Sequence, residues 1–167
     1  TFYTTSTTAT EDSFAKRFVW NNYNRVPRVM RVMEGTDSWT YTLATIRQAN
    51  GAVANQLAFV IGLAEVEVAS QVYATVSTNQ AAGTILFNVL IGEDSTTTAH
   101  TSCIRGRLHN TAASINQGIV AALRTYPAVG YHFHAWLEAS TAVGITTWIG
   151  DNGGVLDQSG IIGSIVG

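Results

Sequence analysis

The sequence predicts an all-β domain, an antiparallel jelly roll or β-sandwich with an extended N-terminal arm. Short stretches in which apolar and polar residues alternate recur along the chain, separated by Gly, Asn and Asp residues. No stretch keeps a helical period for long, and threonine, which favours extended backbone, is abundant whereas lysine occurs once. We count about eight or nine such strands, a number typical of a sandwich or jelly roll.

The chain begins with a Thr- and Ser-rich run, residues 1–10, whose polar β-branched composition favours an extended arm. We expect residues 1–35 to form this arm together with a first strand. Residues 36–167 then form the jelly-roll domain, which is long enough to bury a core without disulfide bonds.

Residues 13–33 mix five of the nine basic residues with aromatic and methionine side chains. Arginine pairs with carboxylates and aromatic rings anchor interfaces, so this segment is a candidate contact arm for an acidic protein surface. Its candidate contact residues are Phe18, Trp20, Arg25, Arg28 and Arg31. The segment is also compatible with a first strand that carries solvated arginines. Binding of nucleic acid is not expected, because the net charge is -2 and no other basic cluster exists.

Alternation and turn residues predict the strands that follow. They are expected at residues 38–46, 57–77 with a break at Gly62, 84–91, 103–108 and 115–123. In the second of them, Val66, Val68, Val72 and Val76 share the face that is expected to be buried. The stretch 115–123 also fits a short helix, since Ile119, Ala122 and Leu123 match helical spacing.

The last part of the chain is predicted to form an antiparallel meander. Side chains in residues 131–138 alternate between two faces. One face carries Tyr131, Phe133, Ala135 and Leu137, and the other carries His132, His134, Trp136 and Glu138. A loop at 140–144, a strand at 145–150, a hairpin turn at 151–154 and a closing strand follow.

His132 and His134 place two imidazoles on one strand face with Glu138, so they are weak candidates for metal ligands. The alternative is a polar and aromatic strand face, and because no third ligand stands at a diagnostic spacing we predict no metal site. The oxygen-rich turn at 151–157 lacks the ligand series of a calcium loop, which favours a hairpin turn.

The sequence contains no motif of a nucleotide-binding loop, a zinc protease or a hydrolase nucleophile, and its acidic residues are scattered. Cys103 is the only cysteine, which excludes an internal disulfide and favours a small buried side chain. We therefore expect neither an enzyme nor a bound cofactor.

Composition and segment lengths bear on location and partners. The longest apolar run, residues 57–64, is shorter than the roughly 20 residues that span a bilayer. No signal peptide or glycosylation sequon is visible, so we expect synthesis in a cytoplasm and no membrane partner. Only 12% of the residues are charged and 46% are hydrophobic, which suggests that copies of the chain or a partner cover much of its surface.

The closing segment resembles the C-terminal part of a group of virion proteins of tailed bacteriophages. The resemblance lies in YPAVGYHFHAWLEAS at 126–140, GITTWIGDNGG at 144–154 and QSGIIGSIVG at 158–167. It implies a trimeric jelly roll similar in shape to the heads of tumour necrosis factor and complement proteins. In this group such domains serve as capsid decorations or as fibre tips.

Two functions follow as expectations. The leading one is a structural, non-enzymatic decoration or cement protein on the capsid surface, a homotrimer that binds the major capsid protein. No collagen-like or heptad shaft precedes the domain, and Thr1 can follow a removed initiator Met, so we expect a shaftless product rather than a fibre. The alternative is a receptor-binding module for a host surface glycan at a tail-fibre tip or head spike. Its candidate residues are Tyr126 and Trp148, with the loop 93–101.

Overall fold

The computed structural model of the chain describes residues 2–4, 9–23, 25–78, 85–110, 115–154 and 156–167. Its strands are β1 (Lys16–Arg17), β2 (Pro27–Met33), β3 (Ser38–Thr40), β4 (Arg47–Gln48), β5 (Gln56–Ile61), β6 (Val68–Thr78), β7 (Ile85–Glu93), β8 (Gly106–Asn110), β9 (Ile115–Thr125), β10 (Gly130–Ser140), β11 (Thr146–Ile149) and β12 (Gly160–Val166). Short 3-10 turns span Ala49–Gly51 and Asn152–Gly154. Residues 1 and 5–8 of the predicted arm, and Thr84 at the start of a predicted strand, lie outside the described residues.

The strands form two sheets packed as a sandwich, which confirms the predicted all-β class. Sheet 1 has the order β1-β5-β10-β7-β8, with β4 also paired to β10. Sheet 2 follows the path β2-β12-β6-β11-β3, and β9 pairs with the other edge of β6. Apart from the parallel pair of β1 and β5, the pairs are antiparallel.

In sheet 2, two pairs of consecutive strands each follow a single line that is interrupted in the middle. β11 and β12 both run antiparallel to β6, with Ile149 opposite Thr75 and Gly160 opposite Tyr73. They therefore lie end to end, and residues 150–154 and 156–159 leave the sheet between them. β3 continues β2 in the same way, since these two strands pair with β11 and β12 respectively.

β4 and β5 likewise follow one line along β10. If β3 is counted with β2, β4 with β5 and β11 with β12, and the two-residue β1 is left aside, the order of the sheets is β2-β12-β6-β9 and β5-β10-β7-β8. The chain crosses between the sheets at each connection except the one from β7 to β8. This order is that of a jelly roll.

The predicted closing meander is wrong in its connections. β10 belongs to sheet 1, whereas β11 and β12 belong to sheet 2 and do not pair with each other. The residues Asp151–Gly154, expected to form a hairpin turn, instead lie in the excursion between β11 and β12. Positive φ angles at Asn152, Gly153 and Gly154 allow the tight bend of this excursion.

The core lies between the sheets and follows the alternation of the strands. In β6 the predicted inward residues Val68, Val72 and Val76 are fully buried. They belong to one cluster with Phe59 of β5 and Trp136 of β10. The face of β10 that carries His132, His134 and Glu138 is the one that points into the sandwich.

One of two strand predictions needs correction. Residues 38–46 form a strand only over β3, because the following backbone bends and Tyr41 Oη donates a hydrogen bond to the Thr45 carbonyl at 2.7 Å. The predicted strand at 115–123 is confirmed as most of β9, which pairs along its whole length with β6, and its helical alternative is wrong.

The N-terminal segment, defined here as residues 9–23, packs on the domain. β1 pairs with β5 at the edge of sheet 1 through Lys16 and Ala58. β2 pairs with β12 in sheet 2, and its Met30 is fully buried in the core. The predicted first strand is therefore an integral part of the sandwich and cannot be removed with the arm.

Candidate assembly surface

The outer side of sheet 2 carries a patch of exposed apolar side chains, called here the open face. It consists of Val29, Arg31 and Met33 of β2, Ile162 and Ser164 of β12, Ala69, Gln71 and Tyr73 of β6, and Val120, Ala122 and Arg124 of β9. The strand register places these residues in three rows across the sheet. Its middle row runs from Arg31 through Ile162 and Gln71 to Ala122.

Large apolar side chains of the open face are about half exposed. Their exposed fractions are Val29 56%, Met33 51%, Ile162 47%, Tyr73 46% and Val120 44%. Isolated exposed apolar residues are ordinary, but a contiguous patch marks an interaction surface. Ile104, which is 74% exposed and bridges to Ala122, extends the patch beyond β9.

A groove of about 580 Å³ crosses the open face between β2 and β9. Small outward residues, among them Ala69 and Ala122, line the groove and leave it open. Gly163, between the outward residues Ile162 and Ser164, faces the core instead: a Cβ atom there would lie 2.6 Å from the Ala69 carbonyl oxygen and 2.8 Å from the Leu57 side chain, so this position requires glycine. A second groove of about 250 Å³ lies beside it, next to Tyr73 and Val120.

Charge on the open face is sparse and positive. The Arg31 guanidinium lies 4.5 Å from the centre of the Phe14 ring, and Arg124 pairs with Glu67 at 3.4 Å. None of the residues that form the open face is acidic. The surface therefore suits an apolar partner with few charges of its own.

Phe18 and Trp20, two residues of the predicted contact arm, are buried within the chain, with exposed fractions of 3% and 7%. Phe18 packs on Ala58 and Val60 of sheet 1. Trp20 fills the space above Gly62 and Gly167, where a Cβ atom on Gly62 would lie 2.0 Å from the indole ring. The proposal that these two rings contact a partner is therefore wrong for the folded chain, because their own domain covers them.

The arginines of the predicted arm differ among themselves. Arg28 forms an ion pair with Asp12 and donates to the Val19 carbonyl at 2.9 Å, so it ties the N-terminal segment to β2. Arg31 does the same by stacking on Phe14. Arg25 is exposed, and within the described residues, which include every Asp and Glu, it has no ion pair.

Of the two candidate glycan-binding residues, only Tyr126 is accessible. Trp148 is fully buried and its indole Nε1 donates to the Tyr41 carbonyl at 3.1 Å, so its proposed role in a glycan platform is wrong. Tyr126 is 64% exposed. Its hydroxyl donates to Glu67 at 3.2 Å, and Arg124 binds the other oxygen of that carboxylate.

His132 and His134 bind side chains and backbone rather than a common point. His134 is buried, with Nδ1 2.7 Å from Ser70 Oγ and Nε2 3.1 Å from Glu93 Oε2. His132 Nδ1 lies 2.7 Å from Asp94 Oδ2, and its Nε2 lies 2.9 Å from the Ala128 carbonyl. Each ring nitrogen thus has a hydrogen-bond partner. In the described part of the chain, no group of three or more His, Cys, Asp or Glu residues could hold a metal ion.

Hydrogen bonding to His134 is the main cause that lowers the pKa of Glu93 to about 2. Glu138, at the other end of β10, has no exposed side-chain surface, and burial raises its pKa to about 7. It accepts hydrogen bonds from Trp39 Nε1 at 2.8 Å, Arg47 Nε at 2.9 Å and the Asn50 amide at 3.1 Å. Because Trp39 belongs to sheet 2 and Glu138 to sheet 1, this polar group links the two sheets.

The open face was not predicted from the sequence, although a signal for it was present. In β2 the run VMRVM, and in β12 the pair Ile161 and Ile162, place apolar residues on both sides of a strand. A strand of an ordinary solvated sheet has one polar side. Apolar residues on both sides therefore indicated that the outer face of this sheet is apolar as well.

No protein-family model matches the chain, and no curated protein is significantly similar to it in sequence. Across the described residues, the structure contains no helix of the length and apolar character needed to cross a bilayer.

Proposed function

We propose that the chain is a structural virion protein that decorates the capsid of a tailed bacteriophage. In this proposal it assembles as a homotrimer, binds the major capsid protein and has no enzymatic activity. It is made in the bacterial cytoplasm and ends on the capsid surface. The observation that carries the proposal is the open face, because its half-exposed apolar residues favour burial against another protein surface.

The open face also supports the oligomeric part of the proposal. Burying apolar surface stabilises by about 25 cal/mol per Å², so a patch of this kind favours self-association. Closed rings of identical subunits are the usual form of soluble oligomers, and a trimer fits the local three-fold points of an icosahedral shell. The resemblance of the closing segment to trimeric virion jelly rolls adds to this argument.

Contact with the shell is assigned to the accessible part of the predicted arm. Arg25 is exposed and without an ion pair in the described part of the chain, and Tyr23 is 98% exposed. Tyr23 is the last residue of the N-terminal segment, and Arg25 lies between that segment and β2. Arg28 and Arg31 contribute indirectly, since they hold that segment in place.

Light scattering tests the assembly. We expect a mass of three times 17.9 kDa for the wild-type chain. Ile162→Glu places a charge at the centre of the open face and should give a monomer, whereas the control Val53→Glu, at a loop residue 75% exposed, should leave the trimer intact. A monomeric wild-type chain would contradict the proposal.

Co-sedimentation with empty phage shells tests the role. The wild-type trimer should pellet with the shells, and Arg25→Glu should reduce the bound fraction without changing the trimer mass. A trimer that does not bind shells would argue against a decoration protein.

Receptor binding is a second candidate, favoured by the geometry around Tyr126. An exposed aromatic ring beside Glu67 and Arg124 offers a stacking surface with polar neighbours, as sugars require. On a glycan array, binding that is lost in Tyr126→Ala would support this candidate. Absence of glycan binding by the wild-type chain would remove it.

A further inference from the structure

The two sheets differ in how their edges are protected. The outer edge of β2 in sheet 2 is covered by the N-terminal segment: the Arg31 amide donates to the Phe14 carbonyl at 2.8 Å, and Arg17 donates to the Val29 carbonyl at 2.7 Å. β1 forms one edge of sheet 1.

The other edge of sheet 1 is β8, which pairs with β7 on one side and with no described strand on the other. Its first residue lies against β9 of sheet 2, since a Cβ atom on Gly106 would lie 2.2 Å from the Val120 carbonyl oxygen. Ile104 also bridges to Ala122 of β9, so the unpaired part of this edge begins at Arg107. An unpaired edge is a template for the addition of another strand.

β8 also carries positive charge that the chain itself does not neutralise. Arg105, Arg107 and His109 occupy alternate positions and are exposed. Every Asp and Glu of the chain lies among the described residues, and none of them is within ion-pair distance of Arg105 or Arg107. Five of the other basic residues, by contrast, have a carboxylate partner: Lys16, Arg17, Arg28, Arg47 and Arg124.

The spacing of these basic side chains suits an extended ligand. Alternate residues of a strand lie about 6.6 Å apart on one side, so Arg107 and His109 face carboxylates at alternate positions of an added strand. Asn88 and Leu86 of β7 lie beside them on the same face. Cross-strand pairs of opposite charge stabilise strand pairing, whereas like charges oppose it.

We propose that the free edge of β8 binds an extended acidic segment of a different protein by strand addition. Backbone hydrogen bonds to the edge supply affinity, and carboxylates at alternate positions select the partner by pairing with Arg107 and its basic neighbours. The proposal does not depend on self-association through the open face.

A second copy of the chain is a poor occupant. Glu65 and Glu67 are the only acidic residues at alternate positions in the sequence. Val66, between them, is 3% exposed and belongs to the core, and Glu67 already binds Arg124 and Tyr126. Offering this segment to another copy would therefore disrupt the fold.

The test uses synthetic peptides of alternating glutamate and threonine, with binding measured by calorimetry. We expect binding by the wild-type chain, and an affinity about tenfold lower for Arg107→Glu because attraction becomes repulsion. The control Lys16→Glu makes the same change of net charge at an exposed residue of β1, on the opposite edge of sheet 1, so its affinity should stay within about twofold of wild type. Hydrogen exchange of the wild-type chain should slow at the β8 amides when peptide is bound.

Three results would overturn the proposal. A peptide with glutamine in place of glutamate that binds equally well would show that charge does not select the ligand. Equal binding of a peptide N-methylated at alternate residues would exclude strand addition. A lower light-scattering mass of Arg107→Glu without peptide would make the β8 edge a contact between copies of this chain.

Discussion

The outer faces of the two sheets arise from similar strand patterns but are covered differently. On sheet 1, Ala58 and Val60 lie beneath Phe18 of the N-terminal segment and are 2% exposed. On sheet 2, Val29 and Ile162 occupy corresponding outward positions and are about half exposed. One apolar face is therefore covered by the chain itself, and the other is left exposed.

The rest of sheet 1 supports the same contrast. Leu90 and Leu137 point outward from β7 and β10, yet both are buried because Ala99 and Ile46 pack over them. Loops and the N-terminal segment thus complete sheet 1. The comparison teaches that outward apolar residues alone do not identify an interface, since coverage by distant parts of the chain decides it.

Removing the cover of sheet 1 should have the largest effect. Phe18→Ala deletes a ring that is 3% exposed and contacts Tyr3 and Tyr131 at centroid distances of 5.3 and 5.7 Å. We expect the free energy of unfolding to fall by about 3 kcal/mol, measured by urea denaturation. Phe14→Ala removes a ring of the same size that is 51% exposed, and should cost under about 1 kcal/mol. Equal losses in the two variants would mean that Phe18 does not cover the sheet.

A change of pH should alter the free energy of unfolding through Glu138, which lies on the interior side of sheet 1, and not through the outer faces of the two sheets. The folded-state pKa of Glu138 is raised from 4.5 to about 7 by burial, so between these values the folded chain holds a proton that the unfolded chain has lost. Stability should therefore fall as pH rises from 4.5 to 7, by up to about 3 kcal/mol. In Glu138→Gln this decline should disappear from urea denaturation measured across that range.

Glu93→Gln is the matched control, since the pKa of Glu93 is lowered to about 2. Its stabilising contribution is present above pH 4.5 and is lost as pH falls towards 2. The variant should therefore flatten the acid side of the stability profile and leave the range from 4.5 to 7 unchanged. If both variants change the same pH range, the two carboxylates do not act separately.

Alternation made the strands and the core side of β6 predictable, because a side chain's direction along a strand is a local property. It did not decide which side faces inward in every strand. Trp148 was assigned to the surface as a glycan platform, yet it points into the sandwich, where the Tyr41 carbonyl accepts its N–H. That carbonyl is far away in the sequence, so no local pattern could indicate it.

The arm was misjudged for a similar reason. Trp20 stands in a stretch without periodicity, and its burial depends on Gly62 and Gly167, two distant glycines that leave room for an indole ring. Arg28 resembled a solvated cation because its partner, Asp12, precedes it by many residues of irregular backbone. Contacts between residues far apart in the sequence were thus outside the reach of the sequence. The expectation, drawn from the low charge, that copies of the chain or a partner cover part of its surface stays a prediction.

The smallest expected effect is also the most direct comparison of the two faces, because it makes one substitution on each. Val60→Ala removes methyl groups beneath Phe18 and should lower the free energy of unfolding by about 2 kcal/mol. Val29→Ala removes the same atoms from the open face, where Val29 is 56% exposed, and should lower it by less than about 0.5 kcal/mol. Urea denaturation at a protein concentration low enough to give a monomer isolates this intrachain difference. A loss at Val29 as large as that at Val60 would mean that the chain covers its own sheet 2, and the reason to assign that face to a partner would then be gone.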